Sequence, residues 1–167
     1  MDIILVPSQA RGKVTLIEKR QESITCAGPG DRVGLHVEGL TARQVRRGYV
    51  CCDATVEPLL PIKEFVAQIA VLSGASSLGC IEKGLKVRLD CHNTYADVTF
   101  DLIYPRDLST DGRSDTLNPG DVGCVRLVSD KQIALEIFST CPSLGRFALR
   151  HKSHTIAVGL VIENKLN

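Results

Sequence analysis

Five side chains able to meet an anion fall close together near the end of the 167-residue chain: Arg146, Arg150, His151, Lys152 and His154, within LGRFALRHKSHTIAVG. An apolar alternation runs up to this cluster and resumes after it. That pattern predicts two antiparallel strands, Arg146–Arg150 and Thr155–Ile162, joined through His151–His154. Cations at a hairpin tip are solvated, and Lys or Arg there can hold phosphates, contacts that position a polyanion without reading its sequence. The plainer alternative is a solubilising turn in which one arginine pairs with Glu136 or another acid. Phe147, Leu149, Ile156 and Val158 read as core in either case.

Other chemistry finds less support. No G-x-x-x-x-G-K-[ST] loop, G-x-S-x-G elbow or H-E-x-x-H helix occurs. Cys91 and His92 are adjacent, but neighbouring strand residues point to opposite faces, so the pair is structural rather than a nucleophile and its base. DLSTDGRSD fails the EF-hand spacing and reads as a solvated loop. Seven cysteines at irregular spacing, with Cys51 beside Cys52 and no C-x-x-C pair, predict free thiols rather than a disulfide framework or a zinc site. The chain is therefore expected to hold no catalytic residues, no metal and no cofactor.

The elements that must position the cluster are strands. Period-two and short continuous apolar runs predict them at Asp2–Val6, Lys13–Glu18, Ile24–Ala27, Arg32–Val37 and Gly48–Cys52 in the first third. In Arg32–Val37 the alternation puts Val33, Leu35 and Val37 on one face. PGD at Pro29–Asp31 and RRG at Arg46–Gly48 are turn signals. The proline-bearing stretch DATVEPLLPIK breaks the rhythm and suggests a linker at 56–63, between a unit at 1–55 and another at 64–167. Strands follow at Glu64–Leu72, Leu85–His92, Ala96–Tyr104, Asp121–Val128 and Gln132–Phe138, then the hairpin; the polar stretch Tyr104–Asp121 reads as a long surface loop. Short strands every 8–12 residues, with no amphipathic helix between them, predict an all-β fold of barrels.

Charge is nearly balanced, with 20 Lys plus Arg against 19 Asp plus Glu, a formal net charge of +1. No bulk field draws the chain onto nucleic acid, so an anionic partner must meet a local patch. Neither a signal peptide nor an apolar run of membrane-spanning length is visible, which leads to an expectation of a cytoplasmic protein with no membrane partner.

Five segments then occur in a recognisable order: PGDRVGLHVEGL (Pro29–Leu40), VRRGYV (Val45–Val50), VRLDCH (Val87–His92), NPGDVGCVRL (Asn118–Leu127), and LGRFALR followed by TIAVG (Thr155–Gly159). In this order the chain resembles the C-terminal barrels of the translational GTPases that include elongation factor 1-alpha, eukaryotic release factor 3 and the ribosome-rescue GTPase that partners Pelota. The resemblance implies a complete antiparallel, Greek-key-like barrel at the C-terminal end, preceded by the later part of a middle barrel. It also implies that the GTP-binding domain lies outside this chain, so that GTP and Mg belong to the full-length protein, a GTPase, while this chain is not an enzyme. An incomplete barrel would leave its first strand as an exposed edge, with a homodimer as the expected compensation.

Carried over from the family, Arg146, Arg150 and Lys152, with His151 and His154 beside them at the tip, become a surface for aminoacyl-tRNA on its way to the ribosome. In release and rescue relatives the same barrel holds a tRNA-shaped protein factor instead. Arg46 and Arg47 fall where the resemblance implies an interdomain contact. His151 stands in place of an acid common in the family, which makes the tip more basic.

Overall fold

The computed structural model describes residues 1–56, 59–73, 79–104 and 116–165. They form two compact units, Met1–Leu59 and Leu60–Asn167. Among the described residues the fold is all-β apart from one 3-10 turn and one four-residue helix.

The first unit is an antiparallel sheet of β1 (Asp2–Val6), β2 (Ala10–Lys19), β3 (Glu22–Ile24), β4 (Gly34–Glu38) and β5 (Val50–Asp53), ordered β3-β2-β1-β5 with β4 also on β2. The run Ile3–Val6 has no polar alternation, and all four residues are buried, as suits a strand covered on both faces. β1 pairs with β2 on one side and with β5 on the other. The edge expected at the first strand is therefore not there, and with it goes the motive for a dimer at that position. β2 and β3 are joined by Arg20–Gln21, both at positive φ, the two-residue type I′ pattern. That turn starts pairing at Glu22, so the strand covers Glu22–Ile24 instead of Ile24–Ala27. β4 lies at an edge, and Leu35, expected on an apolar face, is 42% exposed.

The second unit comprises β6 (Ile62–Val71), β7 (Ile81–Glu82), β8 (Lys86–Cys91), β9 (Thr94–Tyr104), β10 (Thr116–Leu117), β11 (Val122–Ile133), α1 (Pro142–Gly145), β12 (Arg146–His151) and β13 (His154–Lys165). Six of these close a barrel in the order β11-β6-β13-β12-β8-β9, while β7 and β10 form a separate ribbon. Inward positions alternate along each strand. Phe65, Leu89, Phe100 and Leu127 are fully buried, and Phe65 meets Phe147 edge-on with centroids 5.8 Å apart.

Three expectations in this unit change. Gln132–Phe138 is not a strand of its own. β11 runs on to Ile133, and the residues after it are held by single bonds, from Glu136 N to Leu144 O (3.2 Å) and from Phe138 N to Val161 O (2.9 Å). His92 follows the end of β8 at φ +49, in a turn and not in the strand. Val158 is not core. Leu149 pairs with Ala157 but Arg150 with Thr155, so Ile156 is an extra residue, and the bulge moves the inward positions to Ala157, Gly159 and Val161. Val158 is left 44% exposed, while Phe147, Leu149 and Ile156 are buried. Within the expected loop Tyr104–Asp121, residues 105–115 lie outside the described residues.

Candidate partner-binding face

β12 and β13 pair from Arg146↔Leu160 to His151↔His154, leaving only Lys152 and Ser153 in the turn. Lys152 holds φ +55 there, a left-handed conformation usually given to Gly or Asn. The hairpin gathers Arg150, His151, Lys152 and His154 at its tip, with Lys152 and His154 exposed. Arg146 is not with them. It sits four residues back on the same strand face, roughly 13 Å at the rise of an extended chain, and its Nε donates to Pro142 O at 3.2 Å.

Arg150 is engaged on two sides. Its Nη2 donates to Ser153 O at 3.2 Å, and its Nη1 lies 3.7 Å from Asp90 Oδ2. Asp90 Oδ1 also accepts from Arg88 Nε at 2.7 Å. The arginine that the tip was expected to offer thus has an acidic partner, though not Glu136. Glu136 accepts instead from Ile137 N and from Asn164 Nδ2. Beyond Arg88 stands Tyr95, 57% exposed, with the Arg88 guanidinium 4.3 Å and the Lys131 ammonium 4.7 Å from its ring centroid. Sequence reasoning missed Arg88, Asp90, Tyr95 and Lys131.

It also missed an apolar groove on the outer surface. Register links Val122 (β11) to Ala70 (β6), Ala70 to Val158 (β13), Val158 to Ala148 (β12), Ala148 to Asp90 (β8), and Asp90 to Tyr95 (β9). A parallel row runs Cys124, Gln68, Leu160, Arg146. Ala70 is a low point between two valines and Ala148 one between Val158 and Asp90, and the rows border an apolar groove of about 580 Å³ with Gln68, Asp90 and Arg146 among its lining. One signal for it was legible. Thr155–Ile162 is apolar at nearly every position after Thr155, so both faces of that strand had to carry apolar groups.

Elsewhere on the outer wall the usual polar cover holds. Arg126 on β11 bonds Asp101 on β9 and lies 3.2 Å from Glu64 on β6, tying three strands. Arg46 and Arg47 are exposed on the first unit, in a turn closed by Tyr49 N to Arg46 O at 3.2 Å, and neither forms an ion pair among the described residues. None of the seven cysteines is joined to another in a disulfide. Burial, helped by the neighbouring Cys141 thiol, pushes Cys91 up to about 11. That leaves a packing residue rather than a nucleophile. Among the described residues no group of His, Cys, Asp and Glu could hold a metal, and no helix is long and apolar enough to cross a membrane.

Comparison with known proteins fits this arrangement. Residues 64–162 match the family described as GTP-eEF1A C-terminal domain-like. The chain belongs to this family. Elongation factor 1-alpha of Stylonychia lemnae is 34% identical over 98% of the chain and 37% of the relative, and that of Tetrahymena pyriformis is 31% identical over 96% and 38%. Two crystal structures of Sup35 share the fold. The complex with GDP superposes at a TM-score of 0.82 with 27% identity, over 97% of this chain and 40% of that one. The complex with GMPPNP gives 0.84 with 25% identity, over 99% and 41%. The chain thus spans about two-fifths of the length of these relatives. The resemblance stated from the motifs holds, and residues 64–162 are an elongation factor 1-alpha-like C-terminal domain of the translational GTPase type.

Proposed function

We propose that this chain supplies the partner-binding barrels of a translational GTPase, and that its outward rows dock a tRNA-shaped protein factor of the release or rescue kind. The observation that carries this reading is the uncharged run Val122–Ala70–Val158–Ala148 across four strands. An apolar centre with a polar rim of Gln68, Asp90 and Arg146 is the anatomy of a protein interface, whereas phosphate binding needs exposed cations. The similarity to Sup35, on the release-factor side of the family, supports it.

In this reading GTP and Mg are bound by the full-length protein outside these barrels, the setting is the ribosome in the cytoplasm, and Arg46 and Arg47 face the other domains. A second reading, delivery of aminoacyl-tRNA, draws on the exposed Lys152 and His154 at the tip, on His151 beside them, and on relatives that are elongation factors.

Fluorescence anisotropy on the full-length protein separates the two. Val158→Glu is expected to weaken binding of a release or rescue factor at least tenfold while leaving aminoacyl-tRNA unaffected. Loss of tRNA affinity on Lys152→Glu, with Val158→Glu silent toward both factors, would reverse the assignment.

A further inference from the structure

Asp90 is shared by the apolar rows and the cationic rim. It lies in register between Ala148 and Tyr95, it lines the groove, and its two oxygens face two different arginines. Arg88 and Arg150 are themselves direct cross-strand neighbours, a like-charge pairing that destabilises a sheet unless an acid intervenes. Each arginine has a second anchor that keeps it along the barrel wall. Arg88 lies over the Tyr95 ring at 4.3 Å, and Arg150 donates to Ser153 O at 3.2 Å.

Resting on the reading that this face takes a protein, we propose that Asp90 is a specificity determinant. Its carboxylate masks Arg88 and Arg150 from polyanions and so biases the face toward a partner with an apolar anchor. Specificity is a difference of affinities, and a fixed negative charge between the exposed Arg88 and the half-buried Arg150 acts against the phosphate-bearing competitor.

The test uses the 167-residue chain and a fluorescein-labelled RNA hairpin, with affinity read by anisotropy across a salt series. Each arginine freed for phosphate adds about 0.9 to the slope of log affinity against log salt. Asp90→Asn is therefore expected to steepen the slope by about 2 and to raise affinity at low salt roughly tenfold or more. Asp130→Asn, which removes an exposed acid that holds no arginine, controls for the plain change of charge and is expected to alter the slope by less than half as much. Adding Arg88→Gln and Arg150→Gln to Asp90→Asn is expected to restore the wild-type slope.

Equal effects of Asp90→Asn and Asp130→Asn, or no RNA binding by Asp90→Asn even at low salt, would overturn the proposal. So would a wild-type slope steeper than that of the triple variant, a comparison that stands even if Asp90→Asn alone fails to fold. None of these readouts involves the protein factor, so docking on the apolar rows can fail or hold separately.

Discussion

In the Leu60–Asn167 unit the first and last strands, β6 and β13, pair with each other, and every strand of the ring has two neighbours. In the Met1–Leu59 unit β3, β4 and β5 each pair with a single strand among those described. Both sheets are antiparallel, and both use the same turn device. In Gly28–Pro29–Gly30–Asp31 and in Asn118–Pro119–Gly120–Asp121, the aspartate N–H bonds back to the first residue's carbonyl. Its carboxylate accepts that residue's N–H, and the glycine takes positive φ as a type II turn demands. Local chemistry is thus alike in the two units, yet burial is not. The ring buries inward residues from all six strands, whereas the buried apolar side chains of the open sheet all belong to β1. Closure, rather than alternation, decides which apolar residues leave water.

The largest test of that contrast is a pair of truncations. Leu89→Ala inside the ring is expected to cost about 3–4 kcal/mol. Leu35→Ala on edge strand β4, with its side chain already 42% exposed, should change stability by about 0.5 kcal/mol or less. Urea denaturation of each variant checks this, and comparable losses would show that the open sheet is as tightly built as the ring.

Next in size is Gly145→Ala. An added Cβ would collide with Phe138 Cα and stand 2.6 Å from its N, both backbone atoms that cannot rotate away. We expect a loss of about 2–3 kcal/mol, the scale of overpacking, with faster hydrogen exchange at Glu136 and Phe138.

A smaller effect follows from Cys91, whose thiol is raised from 9.0 to about 11 in the folded chain. The sign follows from linkage: above the unfolded value the unfolded chain loses its proton first, so stability is full below about pH 8.5 and declines toward pH 11. The decline attributable to Cys91 should reach about 2 kcal/mol near pH 10.5, and Cys91→Ala should lack it. In native alkylation at pH 8, Cys26, which is exposed, should react first and Cys91 last.

The smallest expected change is in the open unit. The hydrogen bond from Lys19, with that from Gly28 N, holds the Asp31 carboxyl below its ordinary 3.8. This interaction is present above that value and is lost as pH falls below it. A carboxyl-carbon NMR titration should place Asp31 under 3.8, and Lys19→Met should move it back up.

Much of this architecture was legible in the chain. Asp2–Val6 reads as a strand because its apolar run is continuous, and β6, β8 and β9 because inward residues recur at every second position. The two Pro-Gly-Asp turns announce themselves by composition. What escaped depends on partners far away in sequence. Nothing near Arg150 shows that Asp90, sixty positions earlier, occupies its guanidinium. The groove draws Val122, Ala70, Val158 and Ala148 from four strands, so it exists only once register is set. Val158 misled because a single extra residue, Ile156, reverses the faces, and a bulge leaves no mark on periodicity until its partner strand is known. Leu35 alternates correctly, but alternation says nothing about whether a second layer covers it.

The pairing of β6 with β13 also sets a timetable. Glu64 meets Lys165, and Val71 meets Ala157, across most of the length of the unit. During synthesis β6 emerges early and has no companion on that side until the last strand has been made. Non-local pairing of this kind is slow to form, and waiting strands are open to the wrong neighbours. Until β13 pairs, the ring has five staves and a gap, its apolar interior open along one seam.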